Sequence, residues 1–230
     1  MKKIAISQSN YIPWKGYFDM INMVDTFVIY DEVQYTKNDW RNRNILKTKK
    51  GLEWITISVK QNNLHQTIDE TEVFLQKWNR KHWGTLQAIY GKSPFFKKYK
   101  ERFENLYLGI DTHLLSEINK KFILEICDIL EIKTQFINSR ELFLKGDANE
   151  RLIDACKKLE ATTYVSGPAA KSYIDEHLFR KSAISIEWID YSGYKEYKQM
   201  WEPFEHGVSV LDLIFNKGDE AKTFLKTFNS

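Results

Sequence analysis

Two cysteines, four prolines and ten glycines in 230 residues exclude several kinds of protein at the outset. Cys127 and Cys156 have neither metal-ligand nor CxxC spacing, and two thiols cannot staple a small secreted scaffold. Both read as buried free thiols of a reducing cytoplasm. The few prolines and glycines form no Pro/Gly/Ser tract, which argues against a linker or a low-complexity segment. No run of about 18 apolar residues occurs, so no membrane-spanning helix is expected. Lys2 and Lys3 lead directly into a strand pattern rather than the apolar core of a signal peptide. An excess of one charge is missing too: 34 Lys and Arg against 31 Asp and Glu give a net charge of +3, which favours no particular partner. His65, His113, His177 and His206 are dispersed and none pairs with another, or with His82, at metal-ligand spacing, so no metal site is expected.

What is present is enough apolar material for a full core, 43% hydrophobic and 14% aromatic. Strand-like runs at 2–7, 26–30, 53–59, 133–138, 162–166 and 184–189 alternate with helical patterns. Helical spacing is clearest from Thr112 to Leu130, where Leu115, Ile118, Phe122, Ile126 and Ile129 recur every three or four positions. Shorter helices fit Tyr17–Met23, Leu75–Tyr90, Asn149–Leu159, Ala169–His177 and the tail from Ser209. The alternation predicts an α/β fold with a Rossmann-like parallel sheet in one domain, 1–230. Aromatic helical material at about 61–110 reads as an insertion covering one end of the sheet.

Three turns leading into helices carry groups suited to a ligand. In "SQSNYIPWKGYF", Asn10, Tyr11, Trp14 and Tyr17 surround Gly16, which would let backbone amides come close to a phosphate or sugar. In "YVSGPAAKSYID", Ser166 and Gly167 would meet a ligand at the same sheet edge; the competing reading is an ordinary helix entry with proline in the first turn. In "GVSVLDLIFNKG", Ser209 is a candidate N-cap with Asp212 in capping-box position. The layout resembles the HxGH nucleotidylyltransferase superfamily, which places its HxGH turn and a Ser-Ser/Thr helix start at these points. Trp14-Lys15-Gly16-Tyr17 keeps only the glycine. Without either histidine the stabilisation of a phosphoryl transition state is missing, so nucleotide-like binding is expected and nucleotidyl transfer is not.

"DEVQYTKNDWRNRNILKTKKG" at 31–51 follows a strand end, where ligands of α/β sheets collect. Lys37, Arg41 and Arg43 could clamp a diphosphate, with Asn42 and Asn44 on sugar hydroxyls. The other reading is a solvated basic loop, or a hairpin whose Trp40 packs on the core. Asp31, Asp39 and His82, four residues from Trp78, are the candidate proton acceptors, although His82 also fits a structural role. Tyr191, Tyr194, Tyr197 and Trp201 read as core aromatics or as a sugar-stacking lid.

Seven segments, "SQSNYIPWKGYFDMI", "IYDEVQYTKNDWRNRN", "WITISV", "WNRKHW" followed by "YGKSPFF", "YVSGPAAKSY" and "EPFEHGVSVLDLIFNKG", together resemble the WbqC-like family nearly end to end. Ser9 replaces the first proline of that family's Gln-Pro-x-Tyr-Leu-Pro-Trp pattern. The family occurs among genes for O-antigen and other surface polysaccharides. The resemblance implies aminoacyl (glycyl) or acyl transfer onto an amino sugar of a nucleotide sugar, with an activated acyl or aminoacyl donor as co-substrate and no resident cofactor identified. The alternative is a non-enzymatic nucleotide- or nucleic-acid-binding module using the basic aromatic loop; the interspersed acids count against nucleic acid.

Overall fold

The computed structural model describes residues 1–74 and 77–228. Five short strands form its central sheet: β1 (Lys3–Ser7), β2 (Thr26–Ile29), β7 (Gln135–Asn138), β8 (Thr163–Ser166) and β9 (Ser185–Trp188). They lie in the order β7-β2-β1-β8-β9 and every pair is parallel. In chain order this is 3-2-1-4-5, a doubly wound arrangement whose direction of winding reverses at β1. Side chains alternate between two cores, as strand geometry requires. Ala5, Phe27, Ile29 and Val165 face one core, whereas Ile4, Val28 and Tyr164 face the other.

The first core is closed by α1 (Lys15–Asn22), α2 (Trp78–Tyr90), α3 (Phe96–Leu108), α4 (Leu115–Ile129) and α8 (Val210–Lys217). The second is closed by α5 (Ser139–Leu142), α6 (Ala148–Lys158) and α7 (Glu176–Lys181). Asn138 and Asp147 start α5 and α6 with full capping boxes, reached by Glu141 and Glu150. Cys127 and Cys156 are buried free thiols in the two cores.

Between β2 and β7 the chain forms two hairpins, β3 (Arg43–Thr48) with β4 (Gly51–Thr56), and β5 (Val59–Lys60) with β6 (Glu72–Val73), followed by α2 to α4. The run at 53–59, expected to alternate with helices as part of the sheet, instead divides between β4 and β5. Lys49 and Lys50 turn the chain and Gly51, at φ 111°, completes the reversal, so β4 pairs with its own neighbour. The helix expected at 169–177 also divides, into a 3-10 turn at Pro168–Ser172 and α7, because Asp175 caps a new helix with its side chain. The helix expected from Leu75 begins, among the described residues, at Trp78; Leu75 lies outside them.

Helix α8 docks on α2 and α3 through Phe215, whose ring lies 5.4, 5.1 and 5.3 Å from Tyr90, Phe96 and Phe103. Phe215 is fully buried. Phe215→Ala is expected to lower the unfolding free energy by about 3–5 kcal/mol, measured by urea denaturation.

Candidate functional site

The loops leaving the carboxyl ends of β1, β2 and β8 enclose a cavity of about 890 Å³. It lies where the winding of the sheet reverses, the usual ligand position in such sheets. Its floor is Ile6, Ser7 and Gln8 at the end of β1, and Ser166 and Gly167 form the side at β8. Trp14, Tyr17, Trp40, Tyr173 and Tyr191 supply aromatic surface. Across from them, Gly146, Asp147 and Arg151 come from the start of α6. Among the described lining residues Arg151 is the cationic side chain. It donates to the Gly146 carbonyl (3.1 Å) and the Tyr30 hydroxyl (3.3 Å), and among the described residues no carboxylate forms an ion pair with it.

A second cavity, of about 410 Å³, is lined by Pro13, Trp14, Asn44, Ile45, Leu52 and Glu205 among others. Asn10, Trp14 and Trp40 line both cavities.

The loop between these spaces is held by buried polar groups. Asp31 is 1% exposed; its Oδ1 accepts the Ser9 amide at 2.8 Å and its Oδ2 accepts the Ser116 hydroxyl. Burial raises its pKa, with the Ser116 and Ser9 hydrogen bonds opposing. Asn119 Nδ2 donates to Ser9 Oγ and to the Arg41 carbonyl. Asn44 Nδ2 donates to the carbonyls of Tyr11 and Ile12, both at 3.0 Å, and so fixes Ile12 at φ 39°, unusual for a β-branched residue. Tyr17 donates to the Gln8 carbonyl at 3.0 Å.

Of the residues singled out in the sequence, Asn10, Trp14, Tyr17, Trp40, Ser166, Gly167 and Tyr191 line the larger cavity, and Asn10, Trp14, Trp40 and Asn44 the smaller. The rest serve elsewhere. Lys37 is exposed and outside both linings. Arg43 lies 4.1 Å from the Trp54 ring and donates to the Asn38 carbonyl, closing its own turn. Arg41 donates to Asn10 Oδ1 and the Ser9 carbonyl, and so supports the loop from behind. Asn42 is buried and donates to the Ile57 carbonyl at 2.7 Å. Ser209 caps α8, but Asp212 does not complete a capping box: it is buried and accepts the Tyr197 hydroxyl at 2.8 Å.

The expected proton acceptors are committed to the protein. Asp39 accepts its neighbour's amide at Trp40 and the Thr36 hydroxyl. Burial works to raise its pKa, but the Arg41 charge and these hydrogen bonds outweigh it and hold it low. His82 Nε2 lies 3.2 Å from the Thr56 carbonyl, which can only accept, so Nε2 carries the proton. Nδ1 then accepts the Tyr11 hydroxyl at 2.9 Å, and Tyr107 donates to Tyr11 at 2.8 Å. Tyr11 is fully buried in this relay rather than facing a cavity. Burial lowers the His82 pKa from 6.5 to about 4.

Gly16 has a different reason from backbone approach to a ligand. It sits within α1, outside both linings, and a Cβ there would fall 2.2 Å from Trp14 Cζ2. The glycine seats the Trp14 indole, which in turn meets Tyr191 at 5.2 Å and Tyr194 at 5.9 Å.

Two charged residues escaped the sequence reading. Arg151 follows the Gly-Asp start of α6, and that turn could have marked it. Lys15, in the Trp-Lys-Gly-Tyr stretch, is 2% exposed, with Nζ 5.1, 5.4 and 5.6 Å from the rings of Tyr194, Tyr197 and Phe204. Burial lowers its pKa to about 8, with Asp212, Glu196 and Asp19 opposing. Among the described residues no group of three or more His, Cys, Asp and Glu is placed to hold a metal ion, and no helix is long and apolar enough to cross a membrane.

The sequence model of the WbqC-like protein family matches residues 8–224. The chain is 46% identical over 227 residues to the Uncharacterized protein Rv1507c of Mycobacterium tuberculosis (strain ATCC 25618 / H37Rv), a match covering 98% of each chain. No solved structure matches it.

These geometries predict two outcomes. Because His82 has a folded-state pKa below the ordinary 6.5, the unfolded chain takes up the proton first as pH falls. Its contribution is fully present above about pH 6.5 and is lost towards pH 4, by up to about 3 kcal/mol. His82→Gln should therefore flatten the stability profile over that window, as measured by denaturant unfolding at several pH values. Gly16→Ala should displace the Trp14 indole, so that melting temperature and ligand affinity fall together; loss of affinity alone would restore the reading of Gly16 as a ligand contact.

Proposed function

Since the chain belongs to the WbqC-like protein family, we propose that it is a cytoplasmic transferase of surface-polysaccharide, including O-antigen and lipopolysaccharide, biosynthesis, placing an acyl or aminoacyl group on the amine of a nucleotide-linked amino sugar. The observation that carries this reading is the larger cavity: its position at the reversal of the sheet, its aromatic walls and an arginine that forms no ion pair with a carboxylate among the described residues suit a nucleotide diphosphate joined to a sugar. Arg151 meets the diphosphate. Trp14, Tyr173 and Tyr191 offer faces to base and sugar, while Asn10 and Ser166 offer hydrogen bonds to hydroxyls.

In the reaction the neutral amine nitrogen attacks the carbonyl carbon of the activated donor, a C–N bond forms, and the leaving group departs with its electron pair. With Asp31, Asp39 and His82 bound to protein partners, catalysis in this reading comes from orientation of the two substrates, and the departing group takes up the amine proton. We read residues 61–110 as an insertion that buttresses the loop after β1, since Tyr11 reaches His82 and Tyr107 there. The likeness to HxGH nucleotidylyltransferases is one of position only, because Gly16 is occupied by Trp14.

UDP- or dTDP-linked amino sugars are expected to raise the melting temperature by binding the folded state. Stabilisation by single-stranded DNA or RNA alone, with a broad nucleotide-sugar panel inert, rejects the transferase reading. Arg151→Ala should weaken nucleotide-sugar binding by about 1.5–3 kcal/mol, roughly 10- to 100-fold, in calorimetric titration, with little change in melting temperature.

A further inference from the structure

The smaller cavity differs in chemistry from its neighbour. Of its polar side chains, Asn44 donates to the Tyr11 and Ile12 carbonyls and accepts the Ile45 amide, Asn10 Oδ1 accepts from Arg41, and Glu205 Oε1 accepts the Gly207 amide. The apolar surface open to an occupant is that of Pro13, Trp14, Trp40, Ile45 and Leu52. Two of these are open to solvent, Trp40 at 41% and Leu52 at 49% exposure. Leaving such side chains in water forgoes burial that an apolar ligand would supply.

Size narrows the occupant further. At about 30 Å³ per water-sized group, the 410 Å³ space holds on the order of ten such groups, more than a glycyl or acetyl unit fills. Position fixes its relation to the first site. Because Asn10, Trp14 and Trp40 belong to both walls, a group in the smaller cavity lies beside a ligand in the larger one.

We infer that the smaller cavity is the donor subsite and takes an apolar acyl chain of several carbons, delivered as an activated ester or thioester. The assignment rests on the transferase reading and narrows its donor from aminoacyl or acyl to an extended acyl group. The acyl carbonyl stands at the Asn10–Trp14–Trp40 junction, facing the sugar amine. There the C–N bond forms as the carbon–oxygen or carbon–sulfur bond breaks; the electron pair leaves with oxygen or sulfur, and the amine proton ends on that atom. No oxidant or reductant is needed.

The test is a calorimetric titration of the wild-type protein with octanoyl and glycyl thioesters of N-acetylcysteamine, which carry no nucleotide to enter the larger cavity. The octanoyl compound is expected to bind at least tenfold more tightly than the glycyl one. Leu52→Glu, at a half-exposed position of β4, and Ile45→Phe, which fills the space without adding charge, should each weaken octanoyl binding tenfold or more. Circular dichroism and thermal denaturation establish that each variant is folded. Equal affinity for the two thioesters, or octanoyl binding untouched by both substitutions in folded protein, overturns the assignment. Failure of the underlying reading shows separately: wild-type protein that binds octanoyl in this cavity but no amino-sugar nucleotide rejects the transferase while supporting the acyl subsite.

Discussion

The hydrogen bond from the Ser9 amide to the buried Asp31 carboxylate is the constraint on which both cavities depend. It ties the loop after β1 to the end of β2 and, through Ser116, to the start of α4. A carboxylate removed from water in this way is tolerated only while its partners stay in place. The loop is thereby fixed at Ser9, and Asn44 fixes it again at Tyr11 and Ile12. Between those points Asn10 is left facing the cavities, and Trp14 follows where Gly16 gives its indole room. Polar groups drawn inward for support leave aromatic surface outward for contact.

The same division of labour explains the many tyrosines of the irregular chain after β9. Tyr194 donates to Asp19 at 2.6 Å and Tyr197 to Asp212 at 2.8 Å, while both rings lie near the buried Lys15 ammonium. Both tyrosines are buried, and Tyr197 belongs to the first core. They donate to buried carboxyl groups of α1 and α8, and Tyr191, from the same stretch, reaches the larger cavity.

The parallel strands were legible because each is a short apolar run set between helical patterns, and periodicity reports burial directly. The β3–β4 hairpin stood only as one alternative for residues 31–51, since "EWITISV" has the same alternation and only its pairing with residues 43–48 keeps it out of the sheet. For the site, Asn10, Trp14, Tyr17, Ser166 and Gly167 could be read because the ends of β1 and β8 place them, and strand ends are visible in sequence. Arg43 misled for a physical reason: its guanidinium is taken by Trp54, across the hairpin and invisible along the chain. Arg151 lies on a helix whose cavity partners come both from residues 6–40, more than a hundred positions earlier, and from residues 164–191 after it, so its role exists only once the sheet is assembled.

The placement of β1 also bears on how the chain is made. Lys3 pairs with Thr163, so the central strand meets one of its two neighbours only after 160 further residues, 4–163, have emerged. At about 5–20 residues per second, translation leaves that edge of β1 unsatisfied for on the order of ten to thirty seconds. Contacts so distant along the chain also slow the search for the native pairing, because their loops must close before any contact rewards them. During synthesis the β1–β2 pair is therefore an open edge, a template for other strands until β8 arrives.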